Sequence, residues 1–159
     1  MARALDIPDL DADTVFRDAA ARAVEVRTEE LFDHSEGVLD LDDMERVHDM
    51  RVASRRLRAV LEIFAPCFPK RQLRSALGDV KRLADALGER RDPDVAVTSL
   101  EQIGAGMTSD DAPGLDSLIA ALNSGRRVAN EDLAATLEDA ERSGLKVRLM
   151  ALAAEARRT

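Results

Sequence analysis

The sequence predicts an all-α protein built as an antiparallel bundle of five to six helices. Three observations support this fold class. The chain is rich in Ala, Leu, Arg, Glu and Asp, no segment alternates polar and apolar residues over a useful length, and turn signals separate amphipathic stretches. The length of 159 residues predicts one domain, residues 1–159. The chain is 45% hydrophobic and 34% charged, which is enough apolar residues for a hydrophobic core. We expect the first ten residues to be loose.

The first two helices are bounded by polar and proline-containing turns. Helix one is predicted from about Asp11 to Asp33, because His-Ser-Glu-Gly follows at 34–37. Helix two is predicted to begin near Asp42, where Asp-Asp-Met-Glu resembles a capping box, and to end near Ala65, where prolines interrupt it.

The middle of the chain is predicted to form two further helices. The third runs from about Lys70 to Leu87 and closes at Gly88. Asp92-Pro93 then predicts the N-cap and first-turn proline of a shorter fourth helix, which ends near Gly104.

The last third of the chain is predicted to hold a linker and two helices. Gly104–Pro113 is rich in turn residues. An apolar stripe at helical spacing then indicates one long helix, with Ser124-Gly125 as the candidate position for a kink. The final helix is predicted from about Leu145 to Ala156.

Composition excludes several classes of protein. The single cysteine, Cys67, excludes an internal disulfide framework and a multi-cysteine zinc site. No apolar run approaches the ~20 residues that span a bilayer, and acid occurs too early for a secretory signal, so we expect a cytoplasmic location and no membrane partner. Four Phe with no Trp or Tyr leave few stacking platforms for unpaired bases.

Charge is distributed unevenly along the chain. The net charge is −8, but the segment Met44–Arg91 carries twelve Lys or Arg and six Asp or Glu, which gives +6. The remainder of the chain therefore carries −14. Because the local field steers a ligand more than the net charge does, the basic segment is the first place to look for a binding site.

One face of the second helix is basic and the opposite face is apolar. At about 100° per residue, with His48 at 0°, Arg51 falls at about 300°, Arg55 at about 340° and Arg58 at about 280°. Arg56 points elsewhere, at about 80°. The nearly opposite arc carries the candidate core residues Met50, Ala53, Leu57, Val60, Leu61 and Phe64.

The third helix repeats this design. Lys70, Arg74 and Lys81 fall within about 40° of one another, and apolar residues occupy another arc. A short proline-containing turn joins the two helices, which predicts antiparallel neighbours whose basic rows flank one groove.

The basic rows predict a site for an extended anion with closely spaced oxyanions. Like charges three or four residues apart on a helix repel by roughly 0.2–0.5 kcal/mol per pair, and the guanidinium fork matches phosphate or carboxylate oxygens. The alternative stays open that the rows are solvated or paired with acids of the same chain. A lone helix histidine such as His48 is more often structural. Asp92 has an economical explanation as a helix cap, with Asp94 in the first turn of that helix and Arg91 paired with either acid. Neither metal-ligand spacing nor a catalytic constellation is present, so we expect no metal, no cofactor and no enzyme activity.

Two stretches of this sequence resemble a known family. Residues 47–58, Val-His-Asp-Met-Arg-Val-Ala-Ser-Arg-Arg-Leu-Arg, with Leu61 and Phe64 after them, resemble the signature helix of the CHAD family, the conserved histidine α-helical domain. Residues 87–95, Leu-Gly-Glu-Arg-Arg-Asp-Pro-Asp-Val, resemble its Leu-Gly-x-x-Arg-Asp-x-Asp-Val block. The resemblance is clear from about His34 to Ile103.

The resemblance implies two related four-helix bundles around a basic cavity that binds inorganic polyphosphate, with association to polyphosphate granules. It implies that His48, Arg51, Arg55 and Arg58 contact the anion, while Arg56 contributes or supports packing. Lys70, Arg74 and Lys81 are candidates by position. The block from Arg91 to Asp94 is expected to be mainly architectural.

The sequence departs from the family in length, because no second His-x-x-Arg-Val helix follows Pro113. The chain resembles one half of a full domain, so we expect a homodimer that completes the cavity. The leading functional hypothesis is non-catalytic polyphosphate binding. The alternative is a protein-interaction module whose basic face docks an acidic helix; phosphohydrolase activity and nucleic-acid binding are less favoured.

Overall fold

The computed structural model describes residues 4–108 and 112–158, and in this part of the chain it contains helices and no strand. The all-α prediction is confirmed. Five α-helices and one 3₁₀ turn follow in order: α1 Phe16–Asp33, α2 Met44–Ile63, the 3₁₀ turn Ala65–Cys67, α3 Lys70–Gly104, α4 Ala112–Arg142 and α5 Leu145–Arg158.

The helices enclose one apolar core. Helix α1 packs on α2 and α5, α2 packs on α3, and α3 packs on α4 and α5. The predicted apolar faces of α2 and α3 are confirmed, since the residues of their predicted apolar arcs are buried or partly buried in this core. The largest fully buried apolar side chains are Leu31, Met50, Leu57, Leu61, Leu83, Leu87, Leu133, Leu145, Leu149 and Leu152.

Helices α3 and α4 form a hairpin that is longer than the rest of the bundle. At ~1.5 Å per residue, the 35 residues of α3 span about 52 Å, whereas the 20 residues of α2 span about 30 Å. The outer part of this hairpin, residues 95–108 and 112–132, contains one buried residue within its described positions, Val97. This outer part therefore extends past the common core.

The start of α1 differs from the prediction. The helix begins at Phe16 and not at Asp11, because Asp11 forms a local turn in which its Oδ1 accepts hydrogen bonds from the backbone N–H of Asp13 and from Oγ1 of Thr14. Residues 4–10 are not helical, and Arg27 donates to the carbonyl of Leu5 at 2.8 Å. The expectation about residues 1–3 lies outside the described residues.

The predicted capping box of α2 is wrong. Its N-cap residue, Asp43, makes no side-chain capping hydrogen bond, and its carboxylate accepts from Nε of Arg46 at 2.9 Å instead. The predicted end of the helix is close, since α2 stops at Ile63 just before the 3₁₀ turn.

The predicted break between a third and a fourth helix is also wrong. Helix α3 runs without interruption from Lys70 to Gly104 and includes Pro93 in its interior. The residues Leu83, Leu87, Arg90, Asp94 and Val97 continue one buried stripe across the proline. Packing along this stripe offsets the ~3 kcal/mol that an interior proline costs a helix.

The remaining boundaries follow the prediction closely. Helix α3 ends at Gly104 as expected, and α4 passes through Ser124-Gly125 as one helix. Part of the predicted linker, residues 109–111, lies outside the described residues. Gly144, with φ of +63°, makes the turn from α4 to α5.

Candidate anion-binding site

The predicted site residues of α2 differ in how much they reach solvent. His48 and Arg51 are half-buried, whereas Arg55 and Arg58 are exposed. All four lie in one continuous helix, so they share the face predicted from their spacing. We call these four residues the α2 row, and Lys70, Arg74 and Lys81 the α3 row.

Arg51 places the α2 row against α3. A Cβ built on Gly88 would lie 3.7 Å from Nε of Arg51, which is van der Waals distance. Gly88 lies seven residues, or about two turns, after Lys81, so it shares a face with the α3 row. A Cβ at this position would fit without a clash, so the distance shows that the guanidinium lies on α3 but not that the contact requires glycine.

A second contact joins the rows near the end of α2. Oε1 of Glu62 lies 2.9 Å from Nε of Arg58 and 3.9 Å from Nζ of Lys81. All three side chains are more than 40% exposed, so water screens both pairs. Sequence analysis counted Glu62 as a charge but missed it as a partner, although its position four residues after Arg58 was the signal.

The two contacts show that α2 and α3 are antiparallel. From Arg51 to Glu62 the chain advances along α2, while their partners on α3 move back from Gly88 to Lys81. The predicted antiparallel arrangement of these helices is confirmed. No contact among the described residues joins Lys70 or Arg74 to the α2 row.

Four cations of the two rows have no acidic partner. Within residues 4–108 and 112–158, Arg51, Arg55, Lys70 and Arg74 form no ion pair and no side-chain hydrogen bond. By contrast, Arg82, Arg142 and Arg158 on other surfaces each pair with an acid three residues away. Arg17 on α1 and Arg127 on α4 also form no ion pair in the described chain, so unpaired cations are concentrated in the rows without being confined to them.

The start of α3 adds further exposed positive charge. Lys70, Arg71 and Arg74 are all exposed, and with Ser75 they line a shallow cavity of about 410 Å³. Arg71 was counted in the basic segment but was not among the predicted site residues. It extends the cationic surface at this end of the α3 row.

Arg56 points away from the α2 row, as its place on the helical wheel predicted, and the structure directs it into the protein. Its Nη1 lies 2.6 Å from Oε1 of Glu30, whose side chain is 1% exposed. Arg27 on α1 donates to the other oxygen of the same carboxylate. The ion pair between α1 and α2 supports the packing role that the family resemblance allowed for Arg56.

The block that resembles the second family motif forms a buried charged cluster. Nη1 of Arg90 lies 2.8 Å from both carboxylate oxygens of Asp94, and both side chains are fully buried. Nε of Arg126 on α4 lies 2.9 Å from the same carboxylate, and Arg91 lies 3.8 Å from it. The cluster ties α3 to α4, which corrects the explanation of Asp92 as a helix cap with Asp94 in the first turn.

The cluster also reaches the loop before α2. Arg90 donates from Nε to Oδ1 of Asn130 at 3.0 Å, and Nδ2 of Asn130 donates to the carbonyl of Leu39 at 3.0 Å. No local pattern indicated Arg126 or Asn130, because both lie more than 30 residues from Arg90 and Asp94 in the chain. Their role depends on the pairing of α3 with α4.

Two further properties of the described residues bear on the chemistry. They contain no group of three or more His, Cys, Asp or Glu side chains placed to hold a metal ion. Among their helices, none combines the length and the apolar character that a membrane span needs.

The fold and these contacts define an all-α helical-bundle domain, with cations on two neighbouring helices that have no acidic partner in the part of the chain that the structure describes. A protein-family model, described as the CHAD domain, matches residues 22–159. The chain therefore belongs to the CHAD domain family. No curated protein matches the chain.

Proposed function

We propose that this protein binds inorganic polyphosphate, or a similar extended polyanion, without catalysing a reaction on it. The observation that carries the proposal is that four cations of the rows, Arg51, Arg55, Lys70 and Arg74, have no acidic partner within the described residues, although the chain has a net charge of −8. The chain contains 31 acids against 23 Lys and Arg, so acids to neutralise them are not scarce. Membership of the CHAD family supports the same ligand class.

The spacing of the cations suits a linear ligand. Arg51 and Arg58 are seven residues apart, which is roughly 10 Å along the helix axis at ~1.5 Å per residue. A single orthophosphate cannot reach both guanidinium groups, whereas a chain of phosphates can contact each in turn. Arginine forks bind phosphate oxygens through two parallel hydrogen bonds, so each guanidinium of the row can bind one phosphate of such a chain.

In this proposal His48 lies at the start of the α2 row and donates a hydrogen bond to the ligand from a ring N–H. Arg58 and Lys81 join the site when the ligand displaces Glu62 from them. Association with polyphosphate granules follows if the ligand in the cell is the polymer.

Titration calorimetry tests the proposal. We expect long-chain polyphosphate to bind far more tightly than orthophosphate at equal phosphate concentration. The variant Arg51→Gln/Arg55→Gln/Arg74→Gln removes three unpaired cations and should bind long-chain polyphosphate much more weakly.

The matched control is Arg82→Gln/Arg142→Gln/Arg158→Gln, which removes the same charge from paired, exposed arginines. It should bind polyphosphate nearly as the unmodified chain does. If both triple variants lose polyphosphate affinity equally, the loss reflects net charge and not the rows. If the first triple variant binds as the unmodified chain does, the rows do not bind the ligand. Phosphate release from polyphosphate during the titration would contradict the non-catalytic part of the proposal.

The second candidate function is docking of an acidic helix from another protein. The observation that favours it is Glu62, because this carboxylate on a helix already contacts both Arg58 and Lys81. A pull-down before and after polyphosphatase treatment separates the two functions. Capture that survives the treatment and is lost in the first triple variant favours the interaction module.

A further inference from the structure

The buried charged cluster between α3 and α4 contains more positive than negative charge. The guanidinium groups of Arg90, Arg91 and Arg126 surround the single carboxylate of Asp94. Within residues 4–108 and 112–158, no other acid forms an ion pair with these three arginines. Three positive charges and one negative charge leave the cluster with a net charge of +2.

This excess charge lies largely out of water. Arg90 and Asp94 are fully buried, and the side chains of Arg91 and Arg126 are 19% and 17% exposed. The unpaired cations of the two rows are half-buried or exposed, so water solvates them. Water does not solvate a buried charge in the same way, and a buried ion without a counter-charge is costly. The cluster is therefore a place where a bound anion would stabilise the protein.

Two buried N–H donors of the cluster have no hydrogen-bond acceptor in the described chain. They are Nη2 of Arg90 and Nε of Arg126. Nε of Arg126 lies within ion-pair distance of Asp94, but that carboxylate accepts its hydrogen bonds from Nη1 of Arg90. Nearly all buried polar groups in native proteins are satisfied, so these donors call for a further acceptor. A water molecule satisfies a donor without neutralising its charge, whereas an anion does both.

We propose that this cluster binds one phosphate group, supplied by free orthophosphate or by the terminal phosphate of a longer chain. Such a group carries about two negative charges near neutral pH, which matches the charge of the cluster. Guanidinium groups bind phosphate oxygens through short, charge-assisted hydrogen bonds. Arg91 and Arg126 contact the ligand, because they are the cations of the cluster that reach solvent. Arg90 contributes its charge from the interior.

The two sources of the phosphate group relate differently to the rows. Free orthophosphate requires no contact with the rows, so this source is independent of the proposed function. The terminal phosphate of a chain bound along the rows is a source that rests on the proposed function. Arg51 makes that path short, because it lies against Gly88, which precedes Arg91 by less than one helical turn.

Urea unfolding in orthophosphate tests the cluster with the full chain. A ligand that binds the folded state raises the free energy of unfolding. We expect millimolar orthophosphate to raise the urea midpoint of the unmodified chain in a saturable manner, relative to chloride at equal ionic strength. Arg91→Gln and Arg126→Gln should lose this rise. The matched control is Arg127→Gln, which removes an exposed arginine without an ion pair from the next position of α4 and should keep the rise.

The midpoint without phosphate separates ligand binding from a structural role. In phosphate-free buffer, Arg91→Gln removes one of the excess charges, so its urea midpoint should equal or exceed that of the unmodified chain. A purely structural arginine would give a lower midpoint and an unchanged response to orthophosphate, and this result would overturn the proposal. Phosphate also stabilises proteins by exclusion from their surface. Equal rises in Arg126→Gln and Arg127→Gln would assign the effect to exclusion and would likewise overturn the proposal.

Tripolyphosphate distinguishes the two sources. A rise in orthophosphate that requires Arg91 and Arg126 identifies free phosphate as the ligand. A rise that requires them and occurs only in tripolyphosphate identifies the terminal phosphate of a chain. No rise with either compound would overturn the proposal. Calorimetry should still show long-chain polyphosphate binding to Arg91→Gln through the rows, so failure of the cluster and failure of the proposed function are distinguishable.

Discussion

Arg90 holds both carboxylate oxygens of Asp94 at 2.8 Å, and neither side chain reaches solvent. A buried ion pair of this kind is weak support for high stability, because removing two charges from water costs several kcal/mol per ion. Its consequence is geometric. The pair spans the turn of helix α3 that contains Pro93, and Arg126 of α4 contacts the same carboxylate. The cluster therefore fixes the register of α4 against α3.

Removing the carboxylate should destabilise the fold severely. Asp94→Asn leaves Arg90 buried without its counter-charge, and breaking a buried pair in this way costs about 3–5 kcal/mol. We expect this loss in the free energy of unfolding by urea denaturation. The neighbouring Asp92→Asn, at an exposed position, should stay within about 0.5 kcal/mol of the unmodified protein. Similar stabilities for the two variants would mean that the cluster does not support the hairpin.

Glu62→Gln should bind polyphosphate more tightly than the unmodified chain. The carboxylate competes with the ligand for Arg58 and Lys81, and exposed pairs of this kind are worth about 0.2–1 kcal/mol. We therefore expect a gain in affinity of about two- to fivefold by calorimetry.

The control for this gain is Glu138→Gln, which removes one exposed acid from α4, away from both rows. If both variants gain equally, the effect is one of net charge. If Glu62→Gln binds more weakly, Glu62 orients the two cations for the ligand, and the competition between carboxylate and phosphate is disproved.

Arg56 should affect stability more than binding. Its guanidinium pairs with the buried Glu30, and hydrogen bonds to charged groups contribute about 1.5–3 kcal/mol. Arg56→Gln should lower the free energy of unfolding by an amount of this order and leave polyphosphate affinity nearly unchanged. Arg55 is an exposed cation without a partner in the described chain. Arg55→Gln should therefore lower polyphosphate affinity and leave the free energy of unfolding nearly unchanged. If Arg56→Gln loses much of its polyphosphate affinity and keeps its stability, Arg56 contacts the ligand.

The link between α1 and α5 should weaken in acid. Two hydrogen bonds from Arg157, at 2.5 and 2.8 Å, hold the pKa of Glu25 below its ordinary value of 4.5. Because the folded state lowers this pKa, the pair stabilises the protein above pH 4.5 and loses that contribution as the pH falls through the lowered value.

Glu25→Gln measures this contribution. The two side chains are more than a third exposed, so we expect a difference of about 0.2–1 kcal/mol at neutral pH, which shrinks below about pH 4.5. Urea midpoints at a series of pH values test it. Glu141→Gln, at an exposed acid with no ion pair in the described chain, should show no such trend. A constant difference between Glu25→Gln and the unmodified chain would contradict the assignment.

The amphipathic faces of α2 and α3 could be predicted because helical periodicity is a local property of the sequence. Met50, Leu57 and Leu61 are buried as expected, and the cations on the other arc are half-buried or exposed. The break at Gly88 and Pro93 was predicted from the local chemistry of capping. It is wrong because Arg90 and Asp94 are buried and continue the core stripe, and a stripe of aliphatic residues alone does not reveal this.

The partners of the charged residues were harder to predict than the helices. Arg58 and Glu62 are four residues apart, so their pairing was accessible from the sequence. Arg56 and Glu30 are 26 residues apart, and Arg90 and Asn130 are 40 apart, so these pairs depend on which helices are neighbours. Periodicity predicts the direction of a side chain around its own helix, but it does not predict which residue of a neighbouring helix that side chain contacts.

The salt dependence of polyphosphate affinity tests the central claim most directly. Each cation that neutralises a phosphate releases a counterion, so the logarithm of affinity should fall steeply with the logarithm of salt concentration, at about 0.7 per phosphate for a single-stranded polyanion. We predict that Arg51→Gln/Arg55→Gln/Arg74→Gln reduces this slope by about two, while Arg82→Gln/Arg142→Gln/Arg158→Gln leaves it nearly unchanged. The same slope in the unmodified chain and in the first variant would contradict polyanion binding by the two rows.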